Sequence, residues 1–451
     1  MREFVTDLLR RHGDDVPVFT HEHTVTHGAL RASVAAEASL FAASGVGEGS
    51  TVAVQVPPSF TQLEAVLALW SLGARVVPID HRLTSAEVGV LCDLTHPQFL
   101  VRATGRFTGA FRERYELVTQ RKPDGLPAAT RHRLVQFTSG STGRPKIIGR
   151  STESVIREVL RLAAADGMAR HGEKYLMLNN TAYSYGLIGG LLHALAVGVE
   201  LVFAARSASA EDVLRTAARH RVDFLTGQPY HFELLAEAGA SEALRSVRGA
   251  FSGGELMSPD VAEKFAAVHG VVVGECFGTT ETGALTMDVS GTSRPSAGRP
   301  LSDTAIRVRE GLVEVALDES PYLYEEGPSR YSDGWFRTGD RGEFDAHGNL
   351  VLLGRSDSLV LVLGFNVDLT EVEEALRGHP LVTEAIVVHD SEIEAYVATA
   401  SDALTPDEVA AWCAERLAEF KRPRRVHVLP ALPRTASGKL VRNPRVLADA
   451  R

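Results

Sequence analysis

The stretch TVAVQVPPSFTQLEAVLALWSLGARVVPID, residues 51–80, sets the architecture of the chain. Its first part, TVAVQV (51–56), has the β-branched composition of a strand. FTQLEAVLALWSLG (60–73) predicts a helix that ends at a glycine, and RVVPID (75–80) predicts the next strand. A strand, a helix and a strand in this order are typical of a parallel sheet with helical crossovers.

The same alternation continues outward from this stretch. A helix is predicted at 85–95 and a strand at 98–103. A second series begins at residue 176, with strands at 176–180, 200–205, 223–227, 247–253 and 271–277 and helices at 187–197, 210–220, 229–238 and 258–268. The first two-thirds of the chain is therefore predicted to be α/β, with mostly parallel sheets.

The pattern changes after about residue 285. Short strands separated by turns are predicted at 305–310, 311–317, 335–340, 341–345 and 349–354, which indicates an antiparallel or barrel-like β subdomain. From Asp357 onward the pattern is that of a small α+β domain. We therefore predict an N-terminal domain at 1–356 and a C-terminal domain at 357–451.

Charge and cysteine content limit the classes of partner. With 47 basic and 57 acidic residues the formal net charge is −10, which argues against a broad nucleic-acid surface. Three cysteines, Cys92, Cys276 and Cys413, are far apart and indicate neither a disulfide framework nor a zinc site. Their spacing and the absence of a signal-peptide pattern fit a cytoplasmic protein.

The longest apolar run, residues 187–205, is about as long as a membrane span. It contains His193, Glu200 and several glycines, and a buried glutamate at such a depth is costly. We interpret the run as a buried helix (187–197), a turn at Gly198 and a strand, and we expect no membrane span.

Residues 134–146, LVQFTSGSTGRPK, place a loop of small residues directly after an apolar strand end. Such residues let backbone N–H groups surround phosphate oxygens, and Lys146 adds positive charge. The spacing is not that of a Walker loop. A Ser/Thr/Gly-rich stretch is more often a flexible linker, but the position after a strand and the Pro-Lys ending favour a phosphate loop.

The stretch TSGSTGRPK resembles the signature loop of the adenylate-forming superfamily, which includes acyl- and aryl-CoA synthetases, peptide-synthetase adenylation domains and luciferases. One position departs from the family pattern, because Ile147 stands where a glycine commonly follows the lysine. We expect the loop to keep its fold. The resemblance implies that ATP is bound here by Thr138, Ser139, Gly140, Ser141, Thr142, Gly143 and Lys146.

A second motif, ECFGTTETG (275–283), follows a predicted strand. Phe277 suits the face of a purine, Thr280 a phosphate oxygen and Glu281 a Mg²⁺ ion, although a polar turn explains the motif equally well. In the superfamily the corresponding motif holds adenine, phosphate and Mg²⁺, and SGGE (252–255) resembles the adenine-side loop. The resemblance thus implies a nucleotide site that includes Gly253, Gly254, Glu255, Phe277, Gly278, Thr280 and Glu281.

The segments DGWFRTGD (333–340) and GEFDAHGNLVLLGRSD (342–357) predict two β-hairpins. On this framework a carboxylate at Asp340 suits ribose hydroxyls, and Arg355 suits ribose or phosphate. The segments resemble the family motifs GWFxTGD and GRxD. The resemblance implies nucleotide binding at these two residues and a hinge at Asp357.

PRTASGKLVRN (433–443) has the composition of a disordered basic tail, which is common near a chain end. It also resembles the family's PxTxxGK motif, whose lysine holds the carboxylate and the α-phosphate during adenylation. The resemblance implies that role for Lys439. Its motifs appear in the family's order from about Thr26 to Arg442.

The resemblance implies a two-step reaction with ATP and Mg²⁺. A carboxylate attacks the α-phosphate to give an acyl-AMP and pyrophosphate, and a thiol then takes the acyl group. Lys439, Thr280 and Glu281 are the expected catalytic residues, with Glu281 on the metal. Rotation about Asp357 is expected to replace Lys439 by a thiol channel lined by Gly364 and Phe365.

The segment NTAYSYGLIGG (180–190) resembles the family's substrate-pocket helix. Amino-acid-activating relatives usually carry an aspartate there, whereas this segment has Tyr183 and no acid. Burying an ammonium group without a partner is costly, so we expect an aryl or acyl acid without an α-amine. The alternative is that the tyrosines only pack. The expected pocket residues are Tyr183, Tyr185, Gly186 and Cys276.

The thiol acceptor stays open between CoA and a carrier-protein phosphopantetheine supplied in trans, because Leu361 and Leu363 replace residues that are often basic. A ligase of one half-reaction, an amino-acid-adenylating enzyme and a catalytically silent binding protein are the alternatives. Retention of Lys439 and Glu281 argues against the silent protein. Either a monomer or a homodimer is expected.

Overall fold

The computed structural model describes residues 1–105, 111–138, 145–204, 209–239, 242–323, 330–362, 365–389, 392–401, 403–417, 419–435 and 438–450. Within these ranges no helix is both long enough and apolar enough to cross a membrane. Leu187, Leu191 and Leu201, from the longest apolar run, are fully buried in the core of the large N-terminal region.

The first part of the chain, residues 1–151, forms the first large sheet and two strands, β1 and β2, of the second. In order, its elements are α1 (Arg2–Arg10), β1 (Pro17–Thr20), β2 (Thr24–Thr26), α2 (His27–Ala43), β3 (Thr51–Gln55), α3 (Phe60–Ser71), β4 (Arg75–Pro78), α4 (Ser85–Thr95), β5 (Phe99–Ala103), β6 (Leu117–Arg121), β7 (His132–Thr138) and β8 (Lys146–Ser151). Among the described residues, six strands pair in the order β6-β5-β3-β4-β7-β8, and the inner four are parallel.

The predicted unit at 51–80 is confirmed as β3, α3 and β4. The Ser59 side chain accepts a hydrogen bond from the Gln62 backbone N–H, which satisfies one of the free donors at the start of α3. Gly73, at a φ of +79°, follows the last turn and lets the chain reverse into β4.

The second sheet is formed mainly by residues 152–300. Its elements are α5 (Thr152–Ala164), β9 (Lys174–Met177), a π-helix (Tyr185–Leu192), α6 (His193–Val197), β10 (Glu200–Val202), α7 (Ala210–His220), β11 (Phe224–Gly227), α8 (Pro229–Glu237), a 3-10 helix (Glu242–Leu244), β12 (Gly249–Gly253), α9 (Pro259–His269), β13 (Val273–Thr279), β14 (Gly283–Asp288) and β15 (Arg299–Pro300). In the described part of the chain, nine strands pair in the order β15-β14-β13-β12-β11-β9-β10-β1-β2, and those from β13 to β1 are parallel.

The predicted helix at 187–197 begins earlier and differs in winding. Residues Tyr185–Leu192 form a π-helix, and α-helical winding starts only at His193. Gly186 and Gly190 permit close contacts there, since a methyl group at Gly186 would overlap the Asn180 carbonyl group. Periodicity cannot distinguish π from α winding in a run that is apolar on every side.

The predicted antiparallel subdomain is confirmed as a sheet of β16 (Ile306–Arg309), β17 (Leu312–Ala316), β18 (Tyr331–Ser332), β19 (Trp335–Phe344) and β20 (Leu350–Arg355). One detail of the prediction was wrong. Segments 335–340 and 341–345 are parts of one strand, because a bulge between Arg341 and Gly342 keeps the pairing with β20 across the expected break.

The C-terminal segment has its own core, which includes Val372, Leu376 and Val397. Its elements are a 3-10 helix (Ser356–Ser358), β21 (Leu359–Val362), β22 (Phe365–Asp368), α10 (Leu369–Arg377), β23 (Glu384–His389), β24 (Ile393–Ala398), α11 (Pro406–Arg416), a 3-10 helix (Glu419–Lys421), β25 (Arg425–Leu429) and α12 (Pro444–Asp449). The sequence analysis did not predict α12.

Loops at the carboxyl ends of the parallel strands bring the predicted site together. Asp80 follows β4, Asn180 follows β9 and Gly254 follows β12. The Asn180 side-chain amide donates a hydrogen bond to the Asp80 carboxylate at 2.8 Å, so the carboxyl edges of the two large sheets meet. Such an edge is where open α/β sheets bind ligands.

Candidate active site

The predicted phosphate loop is described only at its two ends. Ser139, Gly140, Ser141, Thr142 and Gly143 lie outside the described residues. Thr138 ends β7, Lys146 begins β8, and the two residues are cross-strand partners. The ends of the predicted loop are therefore adjacent at the carboxyl edge of the first sheet.

Glu281 and Lys146 meet on one aromatic side chain. The Tyr322 hydroxyl donates to Glu281 Oε1 at 3.2 Å, and Lys146 Nζ lies 5.3 Å from the centre of the Tyr322 ring. All three residues are half-buried. The structure thus places the predicted metal ligand and the predicted phosphate lysine around a tyrosine that the sequence analysis did not identify.

The side chains around Glu281 show whether the site fits the expected Mg²⁺ ion. Among the described residues, no group of three His, Cys, Asp or Glu side chains is arranged to hold a metal ion. A single carboxylate fits Mg²⁺, because this ion keeps water ligands and is usually bound by one or two carboxylates together with substrate phosphates. Glu281 fits that role.

Phe277 and Gly278 lie at the end of β13, and Thr280 lies in the turn to β14; all three are half-buried. The strands approach so closely that a methyl group at Gly278 would overlap the Gly283 carbonyl group. Main-chain proximity explains the glycine in this motif.

Behind the same turn lies a buried ion pair. The Arg150 guanidinium donates to Glu158 Oε2 at 2.8 Å, and the Ala284 backbone N–H donates to Glu158 Oε1 at 3.1 Å. Gly283 has a φ of +73°, and a methyl group there would overlap the Glu158 carboxylate. This arrangement holds the strand pair that carries Thr280 and Glu281.

The adenine-side motif lies where the C-terminal segment reaches the second sheet. A methyl group at Gly253 would lie 3.0 Å from a Tyr185 ring carbon, and one at Gly254 would lie 3.8 Å from Lys439 Cε. The structure therefore places Lys439 beside the predicted nucleotide site, although 185 positions separate Gly254 from Lys439 in the sequence.

The next residue, Glu255, has an exposed surface, and nearby protein atoms remove part of the hydration of its carboxyl. This desolvation raises the pKa of the Glu255 carboxyl, while the cations of Lys439, Arg434 and Arg442 oppose the rise. Glu255 therefore lies in an electrostatic environment shaped by the C-terminal segment.

Lys439 is presented by a tight turn. The Thr435 backbone N–H donates to the Lys439 carbonyl at 2.7 Å, and Gly438 has a φ of +90°. Arg434 donates to the Gly438 carbonyl at 2.7 Å, and its guanidinium lies 5.6 Å from the Tyr230 ring centre. The described part of the motif is thus ordered against the large domain, and the interpretation as a disordered tail was wrong there.

Asp340 and Arg355 are brought together as predicted. They are cross-strand partners in β19 and β20, with Arg355 Nη1 at 3.3 Å from Asp340 Oδ1. Arg330, which the sequence analysis did not identify, donates to the Thr338 carbonyl at 3.4 Å. The guanidinium groups of Arg330 and Arg355 therefore both lie next to Gly339, the neighbour of Asp340 in β19, which suits a ribose or phosphate.

The predicted substrate-pocket segment at 180–190 contains no acid, but it contacts the carboxylate of Asp80. The Tyr183 hydroxyl donates to Asp80 Oδ2 at 3.1 Å, and Asp80 is 4% exposed. Burial by itself raises the pKa of Asp80, but three hydrogen bonds from Arg82, together with its charge, outweigh it and hold the pKa below its usual value. Because Arg82 already neutralises this carboxylate, it does not offer a free charge for a substrate amine.

Other hydrogen bonds fix the same segment. Thr181 donates to Gln62, Ser184 donates to Gln136, and the Tyr185 hydroxyl lies 2.6 Å from the Thr226 hydroxyl. Gln62 lies in α3, Gln136 in β7 of the first sheet and Thr226 in β11 of the second sheet, so hydrogen bonds from both large sheets hold this wall of the pocket.

Tyr185 and Cys276 are packed rather than reactive. Burial raises the pKa of the Tyr185 hydroxyl well above its usual value, and its ring centre lies 6.0 Å from that of Phe251. Burial also raises the pKa of the Cys276 thiol to about 12, so the nucleophilic thiolate is scarcely populated at neutral pH. Tyr185 thus packs against Phe251, and its place in the substrate pocket stays a prediction.

The residues predicted for the hinge and the thiol channel lie around residues 363 and 364, which are outside the described residues. Asp357 lies in the 3-10 helix Ser356–Ser358 between β20 and β21. Gly364 lies outside the described residues, and Phe365 is the first residue of β22. The two roles remain predictions.

Family models match both parts of the chain. The model described as AMP-binding enzyme matches residues 6–329, and that described as AMP-binding enzyme C-terminal domain matches residues 371–439. Together they cover most of the chain, including Glu281 and Lys439.

Similar proteins and structures extend over nearly the full length. The methyl-dioxo-octahydro-indenyl propanoyl:CoA ligase of Mycobacterium tuberculosis is 29% identical, and the alignment covers 96% of each protein. The 2-succinylbenzoate–CoA ligase of Bacillus licheniformis is 26% identical over 95% of this chain and 96% of that protein. O-succinylbenzoate coenzyme A synthetase from Bacillus subtilis, solved with ATP and magnesium, has the same fold, with a TM-score of 0.82, 24% identity and 99% coverage of both chains.

Proposed function

Because the chain belongs to the AMP-binding enzyme family, we propose that it activates an aryl or acyl carboxylic acid with ATP and transfers the acyl group to CoA. It is an AMP-forming acid–thiol ligase. One observation carries the proposal for the site: Lys439 lies against Gly254 at the carboxyl edge of the second sheet. A cation there faces the place where a carboxylate and an α-phosphate would meet.

In the first step, a carboxylate oxygen of the acid attacks the α-phosphorus of ATP, and the bond to the bridging oxygen of pyrophosphate breaks. The protein must align two anions and offset their repulsion. Lys439 contributes its cation at the attacking side, Asp340 and Arg355 orient the ribose, and the 138–146 segment surrounds the phosphates. Bound at Glu281, Mg²⁺ would offset the negative charge of the phosphates.

In the second step, the CoA thiolate attacks the acyl carbon, and AMP leaves with the electron pair of the acyl–phosphate bond. Lys439 has no task in this step. We propose that residues 357–451 form a domain distinct from 1–356 and turn about Asp357, so that the loop at Gly364 and Phe365 replaces the Lys439 turn as the wall of a thiol channel. This is a rotation of one folded unit against another.

The acid is proposed to lack an α-amine. Tyr183 is hydrogen-bonded to Asp80, and Arg82 compensates that carboxylate, so the acid that this segment contacts is already paired. An ammonium group would be buried there without a partner, which costs several kcal/mol (about 2–7) for a polar group and more for a charge. Both relatives named above are ligases of acids whose printed names contain no amine.

CoA is preferred to a carrier protein as the acceptor because both of those relatives are named as CoA ligases. The cysteines Cys92, Cys276 and Cys413 are all free thiols, which supports a cytoplasmic location. We propose a monomer or a homodimer that acts without nucleic acid or a membrane.

The test is carboxylate-dependent exchange of pyrophosphate into ATP, with pools of aryl, acyl, hydroxy and amino acids. Exchange should occur with an aryl or acyl pool and fall by roughly 10²–10³ in Lys439→Ala, the scale of one preorganised charge. The control is Lys264→Ala, an exposed lysine on α9. Added CoA should then yield a thioester detectable by mass spectrometry. Exchange with amino acids alone, or an unchanged rate in Lys439→Ala, would refute the proposal.

A further inference from the structure

Tyr322 connects three parts of the site. Its hydroxyl donates to Glu281 Oε1 at 3.2 Å, and its ring lies under the Lys146 ammonium group. The third contact is with the antiparallel subdomain, where the Tyr322 and Phe336 rings meet edge to face with centres 5.8 Å apart. A single side chain thus contacts the proposed metal ligand, the proposed phosphate cation and a buried ring.

The main chain at 321–323 holds this tyrosine firmly. The Gly149 backbone N–H donates to the Pro321 carbonyl at 2.8 Å, and the Leu323 N–H donates to the Ile147 carbonyl at 3.0 Å. Tyr322 and Ile148 form the antiparallel bridge between these bonds. A methyl group at Gly149 would overlap the Leu323 side chain, so the glycine allows residues 321–323 to lie close to β8. Residues 321–323 therefore pair with β8, whose first residue is Lys146, as a short antiparallel segment.

We propose that Tyr322 is a positioning residue for the magnesium–nucleotide complex, an inference that rests on the proposed function. Its hydroxyl occupies one carboxylate oxygen of Glu281 and stops the group from rotating, which leaves the other oxygen directed to the metal. Its ring face attracts the Lys146 ammonium group and keeps it next to the phosphates. Groups that orient a metal ligand commonly change metal affinity by about 10–100-fold when removed.

Two substitutions separate the roles of the hydroxyl and the ring. Tyr322→Phe removes the hydroxyl and keeps the ring, whereas Tyr322→Leu removes both. Tyr331→Phe is the matched control, since Tyr331 is a tyrosine of β18 that donates its hydroxyl to the Leu317 carbonyl at 3.0 Å.

The readout is ATP affinity, measured by calorimetry at a series of MgCl₂ concentrations and in EDTA, without any acid or turnover. In Tyr322→Phe the MgCl₂ concentration for half-maximal ATP binding should rise about tenfold, with affinity in EDTA unchanged. In Tyr322→Leu the affinity in EDTA should also fall, by about threefold, through the loss of the ring beneath Lys146. Tyr331→Phe should match the wild-type chain.

An identical MgCl₂ dependence in Tyr322→Phe and the wild-type chain would overturn the proposal. So would an equal loss of affinity with and without Mg²⁺, because that result would make the hydroxyl merely structural. The measurement is independent of the acid: a chain that binds ATP but exchanges pyrophosphate with no acid pool would refute the proposed function and still test Tyr322. A wild-type chain that does not bind ATP would overturn both.

Discussion

A buried histidine, His27, makes the stability of the large domain sensitive to acid. His27, the first residue of α2, is fully buried, and neither of its ring nitrogens has a hydrogen-bond partner among the described residues. Its ring centre lies 4.9 Å from that of His12, which stacks on His171 at 5.4 Å. Burial, and then the neighbouring His12 and His171, lower the pKa of His27 from 6.5 to about 4.

The direction of the change in stability with pH follows from proton binding to His27. The unfolded chain protonates His27 near its ordinary pKa, whereas the folded chain resists protonation until about pH 4. Stability is therefore complete above pH 6.5 and is lost as the pH falls toward 4. The lowering of the His27 pKa from 6.5 to about 4 amounts to at most about 3 kcal/mol of stability, of which about 2 kcal/mol should be lost by pH 5.

The assay is urea unfolding followed by tryptophan fluorescence at several pH values between 8 and 5. His27→Leu removes the titrating group, so its free energy of unfolding should fall less steeply below pH 6.5 than that of the wild-type chain. His347→Leu, at an exposed histidine, is the matched control and should keep the wild-type slope. Equal slopes for His27→Leu and the wild-type chain would refute the reasoning, whatever the absolute stabilities.

Three further predictions concern the site. Gly283→Ala should destabilise the fold by about 1–3 kcal/mol and lower the melting temperature, because alanine is strained at φ +73° and its methyl group would overlap the Glu158 carboxylate; an unchanged melting temperature would contradict this. Arg434→Ala should slow pyrophosphate exchange about tenfold or more while ATP affinity is kept, since Arg434 holds the Gly438 carbonyl in the turn that carries Lys439, the proposed catalytic cation; Arg434→Lys should recover part of the rate, and a matched fall in ATP affinity would count against the positioning role. Asp357→Pro should impair thioester formation more than pyrophosphate exchange, and equal loss of both half-reactions would exclude the hinge.

Helices and strands were predictable where the sequence has a clear hydrophobic period and residues that mark the ends of the element. The strand–helix–strand unit at 51–80 is confirmed because its periods are clear and Ser59 and Gly73 mark the helix boundaries. The π-helix at Tyr185–Leu192 was not predicted, because its winding depends on close packing against Asn180.

The site was predictable to the extent that its residues stand in contiguous motifs. Asp340 and Arg355 came from such motifs, and the structure pairs them. Tyr322 and Asp80 were missed because they meet Glu281 and Tyr183 only after the fold brings distant loops together. A signal for Asp80 did exist, since it stands at a predicted strand end beside Arg82.

The distance in sequence between the site's two halves has a consequence for biosynthesis. Glu281 leaves the ribosome 158 residues before Lys439, and domains generally fold in the order in which they emerge. A nascent chain can therefore complete both large sheets while it still lacks Lys439, the cation proposed to promote adenylation. On the role proposed for Lys439, we expect acyl-adenylate formation to stay slow until the turn that carries this lysine has been made and has reached Gly254.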